Sequence, residues 1–156
     1  MSSAQLELGD LPQLSKTGHA AHCNRCLSGL PSSQLEADAS RLAVGFYCLG
    51  TLDILGLVST KIRPDEAEGW REWLWSQQQS GKYGTGFRPS SYMTPSFVSD
   101  WGSEDFSDHD VPHLIMTYTA ILSLAILRDD LKQLDRPGVI QFLKSCQRED
   151  GRSECT

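Results

Sequence analysis

The chain has 156 residues, 39% of them hydrophobic and 22% charged, with a net charge of −6 at neutral pH. That length allows one domain with a real core, while the acidic balance excludes a phosphate-tracking nucleic-acid surface or a basic patch for anionic membranes. The longest uncharged apolar runs, Leu42–Leu52 and Leu114–Leu127, fall short of the roughly 20 residues a membrane-crossing helix requires.

The N-terminus MSSAQLELGDLPQL has no basic stretch followed by an apolar run, so no signal peptide is expected. Five cysteines without such a signal read as reduced thiols in the cytoplasm. Residues 1–12 read as a flexible tail. A first helix is expected over Gln13–Gly29. A second runs from Leu35 to about Leu55, with Ser32 or Ser33 placed to cap it and Gly56 to end it. Its apolar stripe is Leu42, Phe46, Leu49 and Leu52. The third helix has the clearest start, with Pro64 at its first position and Asp65 and Glu66 in the first turn. Trp70, Trp73 and Leu74 then share one face.

Residues 80–111 carry Gly, Pro, Ser and Asp without a sustained period and read as a long loop, functional or disordered. From His113 to Leu127 the chain is apolar nearly all round, which predicts a helix buried on most sides. After an acidic turn, Asp135 and Pro137 open a last, amphipathic helix whose apolar face is Ile140, Leu143 and Cys146. The pair therefore reads as one inner and one outer helix. Glu72–Gln78 and Gln141–Gln147 align as aromatic-aliphatic-x-Ser-x-Gln. This is a weak internal repeat, and such helix pairs must stack on neighbours to bury a core.

Several clusters resemble reactive sites, and each has a plainer explanation. His19, His22, Cys23 and Cys26 offer zinc-type ligands, but four ligands on one helix do not close easily into a tetrahedron, and a packed helix face explains them. Asp108-His109-Asp110 with His113 sits at the exit of a loop where Asp is common for turn reasons. Asp129-Asp130 with Asp135 lacks the spacing of a magnesium site and has Lys132 inside it, so a helix end in solvent is the simpler reading. Gly81, Gly84 and Gly86 follow a helix rather than a strand and lack the G-K-[ST] of a phosphate loop.

Longer patterns point further. His113-x-x-Met116-Thr117-Tyr118-Thr119 and Leu143-x-x-x-Gln147-x-x-Asp150-Gly151 come at the two ends of the last helix pair. Earlier come Arg25-Cys26-Leu27 with Leu30-Pro31, then Asp38-Ala39-Ser40-Arg41-Leu42, then Gly86-Phe87-Arg88 with Ser90-Ser91-Tyr92. In this order they resemble the β subunits of protein prenyltransferases, and among those the type I geranylgeranyl subunits, over about residues 19–151. The resemblance implies an all-α fold of helical hairpins forming part of an α-α barrel, with residues 13–151 as its N-terminal portion and 152–156 as a divergent tail. It implies that Ala43, Tyr47 and Tyr118 border the isoprenoid. Ser40, His113 and Ile115 would border the last residue of the substrate's C-a-a-X tail. A small residue at Ala43, where farnesyl-type members carry Trp, implies room for a C20 chain. A final Leu or Phe in the tail usually directs geranylgeranylation.

The same likeness implies geranylgeranyl diphosphate as donor, zinc in the complete family member, and a heterodimer with an α subunit. It also implies C-a-a-X substrates such as Rho-type small GTPases. The chain departs from the family pattern in ways that bear on chemistry. The zinc ligands and diphosphate-gripping bases lie in later family segments, and no matching residues are found here. The chain therefore looks truncated and is expected to be inactive alone. His22 and Cys23 replace two aromatic residues, and Pro89 replaces a glycine. A non-catalytic helical-repeat binding module and a farnesyl- or Rab-type subunit are the alternatives.

Overall fold

The computed structural model describes residues 13–30, 32–91 and 111–153. The expected tail at 1–12, the Asp108–Asp110 cluster and the last three residues lie outside these. Helix α1 spans Lys16–Ser28, and Ser15 Oγ caps it by accepting from Gly18 N–H at 3.2 Å. A 3-10 stretch, Ser32–Ser40, kinks at Gln34 and leads into α2, Arg41–Ile54. The expected single helix is thus two elements. Gly56, at φ +69, ends α2 as anticipated, with Leu57 N–H donating to Leu52 O at 2.8 Å. After the short α3, Val58–Lys61, comes α4, Pro64–Trp75, opened by Pro64 and by Arg63 N–H donating to Glu66 Oε2 at 3.1 Å.

The first part of the expected loop is a structured β-hairpin. Strand β1, Gln78–Gly81, pairs antiparallel with β2, Gly84–Phe87, so that Gln78 faces Phe87 and Gly81 faces Gly84. No alternation of apolar residues announces it, because its side chains bind to other elements rather than to a sheet face. Thr85 Oγ1 donates to Asp135 Oδ2 at 2.6 Å and takes a bond from Ser80 Oγ at 2.9 Å. Helices α5, Leu114–Ile126, and α6, Arg136–Ser145, complete the described elements. Asp135 caps α6 by accepting from Gly138 N–H at 3.1 Å. The same carboxylate serves Thr85, and these two bonds hold its pKa below the ordinary 3.8.

The core lies between α2, α4 and α5, around Leu42, Leu49, Leu74, Phe87, Met116, Ala120 and Leu124. A smaller cluster of Cys23, Cys48 and Leu52 joins α1 to α2. Helix α4 is tied to the end of α5 by Arg71 Nη1 donating to Leu127 O (2.8 Å) and Trp75 Nε1 donating to Asp129 Oδ2 (3.1 Å). Each long inner helix, α2 or α5, is therefore followed by an outer one, α4 or α6. The repeat goes beyond the helices. After α4 comes the β1–β2 hairpin, and after α6 an antiparallel bridge joins Gln147 to Ser153 across the Asp150-Gly151 turn.

One expectation is corrected by this packing. The buried face of α6 is Val139, Phe142 and Cys146, while Ile140 and Leu143 are exposed. The hairpin decides this, because Gly84 and Gly86 rest against Phe142. Helix α5 is buried or half-buried on most sides, as expected, and leaves a single exposed stripe. Met116, Ala120 and Leu124 face the core, but Ile115, Tyr118 and Leu122 are exposed.

Candidate functional site: the outward stripe of the inner helices

Helices α2 and α5 are brought side by side by the residues that leave β2. Leu42 N–H, at the start of α2, donates to Pro89 O at 3.1 Å, and His113 N–H, just before α5, donates to Phe87 O at 3.0 Å. One extended segment thus holds both helix starts, so the helices run in the same direction. Thr117 Oγ1 reinforces the join by accepting from Phe87 N–H (3.0 Å) and donating to His113 O (2.9 Å). Arg88, buried at the centre of this segment, donates from Nε to Gln77 Oε1 at 3.2 Å, and Gln77 is itself fully buried. A buried guanidinium and amide kept in register this way make a rigid junction.

About one turn into each helix the aromatic side chains meet. Phe46 lies edge-on to Tyr118 (centroids 6.4 Å apart, planes at 82°) and tilted against Tyr47 at 5.5 Å. Such edge contacts are favourable ring geometries. Ala43 is half-buried on the same side of α2 and packs against the core. Tyr47 remains 63% exposed and Tyr118 45%. With Ile54, Ile115 and Leu122 they form an apolar stripe along α2 and α5 that the described residues do not cover. The spacing 115, 118, 122 is one face of a helix. An exposed apolar stripe of this kind is a candidate binding face.

Ser40 and His113 occupy the end of this stripe where the two helices begin. Ser40 is exposed at the start of α2 and makes no side-chain capping bond. His113 caps α5, its Nδ1 accepting from Ile115 N–H at 3.2 Å, which fixes the tautomer with the proton on Nε2. The structure therefore groups all six sequence-derived residues on one surface, Ala43, Tyr47 and Tyr118 along it and Ser40, His113 and Ile115 at its head. Phe46 and Leu122 belong to the same surface. Phe46 lies on the apolar stripe of α2 and also meets Tyr118 of α5, a contact that spacing along one helix does not show.

The metal-like clusters resolve differently. Among the described residues no group of three or more His, Cys, Asp or Glu side chains is arranged to hold a metal ion. Cys23 is buried against Cys48 and Leu52, and His22 Nε2 lies 3.7 Å from Cys26 Sγ. Burial, followed by the nearby thiols of Cys23 and Cys26, pushes Cys48 up to about 12, which keeps it a protonated core thiol. Asp129 receives Leu131 N–H and Trp75, and Asp130 pairs with Lys132 at 2.6 Å. These carboxylates close the α5–α6 turn rather than bind magnesium.

Parallel inner helices with outer partners, followed by a hairpin after α4 and a single antiparallel bridge after α6, describe a recurring unit, and comparison with known proteins agrees. Residues 14–156 match the family profile of the prenyltransferase alpha-alpha toroid domain. The chain belongs to the prenyltransferase alpha-alpha toroid family. It is also similar to the geranylgeranyl transferase type-1 subunit beta of Dictyostelium discoideum, with 28% identity over 137 residues. That match covers 80% of this chain but 38% of the relative, so the chain spans well under half of it.

Proposed function

We propose that the chain provides the first helix pairs of a protein geranylgeranyltransferase type I β subunit, and that the α2–α5 stripe is its share of the isoprenoid wall. The observation that carries this reading is the stripe itself. Tyr47 and Tyr118 turn toward solvent, with the half-buried Phe46 ring against both and the half-buried Ala43 on the same side of α2, where core packing alone would have turned the tyrosines inward. An apolar, aromatic wall suits a hydrocarbon chain, and the small Ala43 leaves depth for its fourth isoprene unit. Ser40, His113 and Ile115 would take the last residue of the C-a-a-X peptide, with His113 Nε2–H free to donate toward its terminal carboxylate.

The family reaction replaces the C–O bond to diphosphate by a C–S bond to the peptide cysteine, whose proton leaves. In complete members zinc stabilises that sulfur as thiolate, the attacking form. The described residues do not fit zinc, so the role proposed for this chain is confined to the hydrocarbon and the peptide end. The proposed partner is a prenyltransferase α subunit, the proposed substrates are C-a-a-X proteins of the Rho type, and the proposed location is the cytoplasm. No described helix is long and apolar enough to cross a membrane.

Binding of a fluorescent geranylgeranyl diphosphate analogue to the full chain tests the reading. Saturable binding that weakens about tenfold in Tyr118→Ala, the scale of losing one aromatic contact surface, supports it. No saturation, or indifference to Tyr118→Ala, overturns it and leaves a non-catalytic helical-repeat module. The chain alone is expected not to prenylate a peptide in the presence of zinc, and turnover would refute that part.

A further inference from the structure

Three cysteines meet where α1 packs on α2. Cys23 and Cys48 are buried together, and Cys26 packs against the same cluster. The Cys48 thiol lies close enough to those of Cys23 and Cys26 to hydrogen-bond with them. Among the described residues the other cysteine is Cys146, buried at the end of α6. Buried thiols act as small apolar groups, which accounts for Cys23 and Cys48 but not for Cys26.

Cys26 differs from both in access and in its neighbour. It is half-buried and borders a partly open cavity between α1 and α2. His22, one helical turn earlier and exposed, places Nε2 3.7 Å from Cys26 Sγ, and this contact is open to solvent. An imidazole nitrogen there can accept the thiol proton and leave the thiolate, the form that reacts. Burial holds the Cys48 thiol protonated, its pKa pushed up to about 12, so Cys48 does not itself start an oxidation.

Geometry also selects the pairing. Side chains three apart on one helix have Cβ atoms about 5–6 Å apart, beyond the roughly 3.5–4.5 Å that a disulfide takes. A Cys23–Cys26 bond would therefore distort α1. Cys48 stands across the helix interface, and a Cys26–Cys48 bond joins two helices that are already packed.

We propose that Cys26 is an oxidation site, and that a hydroperoxide converts Cys26 and Cys48 into a reversible disulfide tying α1 to α2, with His22 as the base. His22 Nε2 takes the Cys26 proton. The thiolate sulfur attacks one peroxide oxygen, the O–O bond breaks, and the leaving oxygen receives that proton. The products are the Cys26 sulfenic acid and an alcohol, or water from hydrogen peroxide. The Cys48 sulfur then attacks Cys26 Sγ. The S–S bond forms, the S–O bond breaks, and the departing hydroxide takes the Cys48 proton to become water. The two thiols lose two electrons and the peroxide gains them.

The full chain is incubated with hydrogen peroxide, and its fold is checked by circular dichroism. Remaining thiols are blocked with N-ethylmaleimide in urea, and a non-reducing tryptic digest is read by mass spectrometry. Cleavage after Lys16, Arg25, Arg41 and Lys61 puts Cys23, Cys26 and Cys48 in separate peptides, 17–25, 26–41 and 42–61. The expected product joins 26–41 to 42–61 within one chain and is lost on treatment with dithiothreitol, while Cys146 stays reduced. Cys48→Ala should stop the reaction at the sulfenic acid, which dimedone captures on Cys26. His22→Ala should slow the crosslink by about tenfold or more. Absence of the 26–41 to 42–61 product from the folded chain overturns the proposal without relying on any variant. A crosslink that runs mainly through Cys23, or oxidation of Cys146 at the same rate, also overturns it. An unchanged rate in His22→Ala removes His22 as the base.

Discussion

Gly84→Ala is expected to destabilise the chain severely, because it wedges the hairpin away from α6. Gly84 has φ +121, a backbone region that L side chains rarely adopt. Forcing Ala there costs about 1–3 kcal/mol. The added Cβ would also stand 2.6 Å from Phe142 N and 3.1 Å from Phe142 Cα, and would press on Gly138 O. These are backbone atoms on a packed helix, so no side chain can swing aside. Relief requires the hairpin and α6 to separate, at about 1–3 kcal/mol for overpacking of this kind. The two together come to about 4 kcal/mol, which for a domain of this size lowers Tm by about 10 °C or more. The separation also strains the Thr85–Asp135 bond and the seat of Phe87, whose carbonyl holds His113 N–H. Urea unfolding followed by circular dichroism measures the loss. Tryptophan emission gives a second probe, since Trp75 stands 6.0 Å from Phe87. Gly69→Ala is the control: nothing lies within 4 Å of its added Cβ in the exposed middle of α4, and it should stabilise by about 0.5–1 kcal/mol. A Gly84→Ala variant within 1 kcal/mol of the parent, roughly the effect of an ordinary surface change, would refute the docking of the hairpin on α6.

Ser123→Ala should raise stability by about 1–2 kcal/mol, through removal of an unpaired buried hydroxyl and a better helix former; a loss of stability in urea would show that the hydroxyl has a partner. Asp135 sits below its ordinary 3.8 because it accepts from Thr85 and Gly138. Its contribution is therefore fully present above that value and is lost as pH falls through the lower folded value. Asp135→Asn should make the acid side of the stability–pH profile less steep below about pH 4, and an unchanged profile would remove Asp135 from the acid response. Ala43→Trp, introduced into a toroid completed with the remaining helices and an α subunit, should favour a C15 over a C20 diphosphate, measured as the ratio of kcat/KM values. An unchanged ratio would dissociate Ala43 from chain-length choice.

Much of the architecture was legible in residue order. Pro64 with Asp65 and Glu66, Gly56, and Asp135 with Pro137 mark helix ends by local backbone chemistry, and the structure places boundaries there. The motifs around His113, Gly86-Phe87-Arg88 and Gln147–Gly151 carried the family likeness, because each is a junction whose hydrogen bonds demand particular residues. Thr117 bonds both Phe87 and His113, and Gln147 starts the bridge after α6. The hairpin was not legible. Gln78–Phe87 has no two-residue alternation, since its strands are held by Asp135, Thr117 and the glycine contacts with α6 rather than by a sheet face.

Local sequence determined where helices begin and end, because caps, prolines and glycines act within a turn of the chain. It also marked α2 and α5 as apolar. It did not determine which apolar side chains turn outward, because a helix apolar all round has no preferred face of its own. Only packing against α4, α6 and the Phe87–Pro89 segment left Tyr47, Tyr118 and Leu122 exposed and sent Leu49, Ala120 and Leu124 inward. The same packing buried Ser123 with no hydrogen-bond partner among the described residues. That outcome depends on what stands beside the helix, and no periodicity within the helix records it.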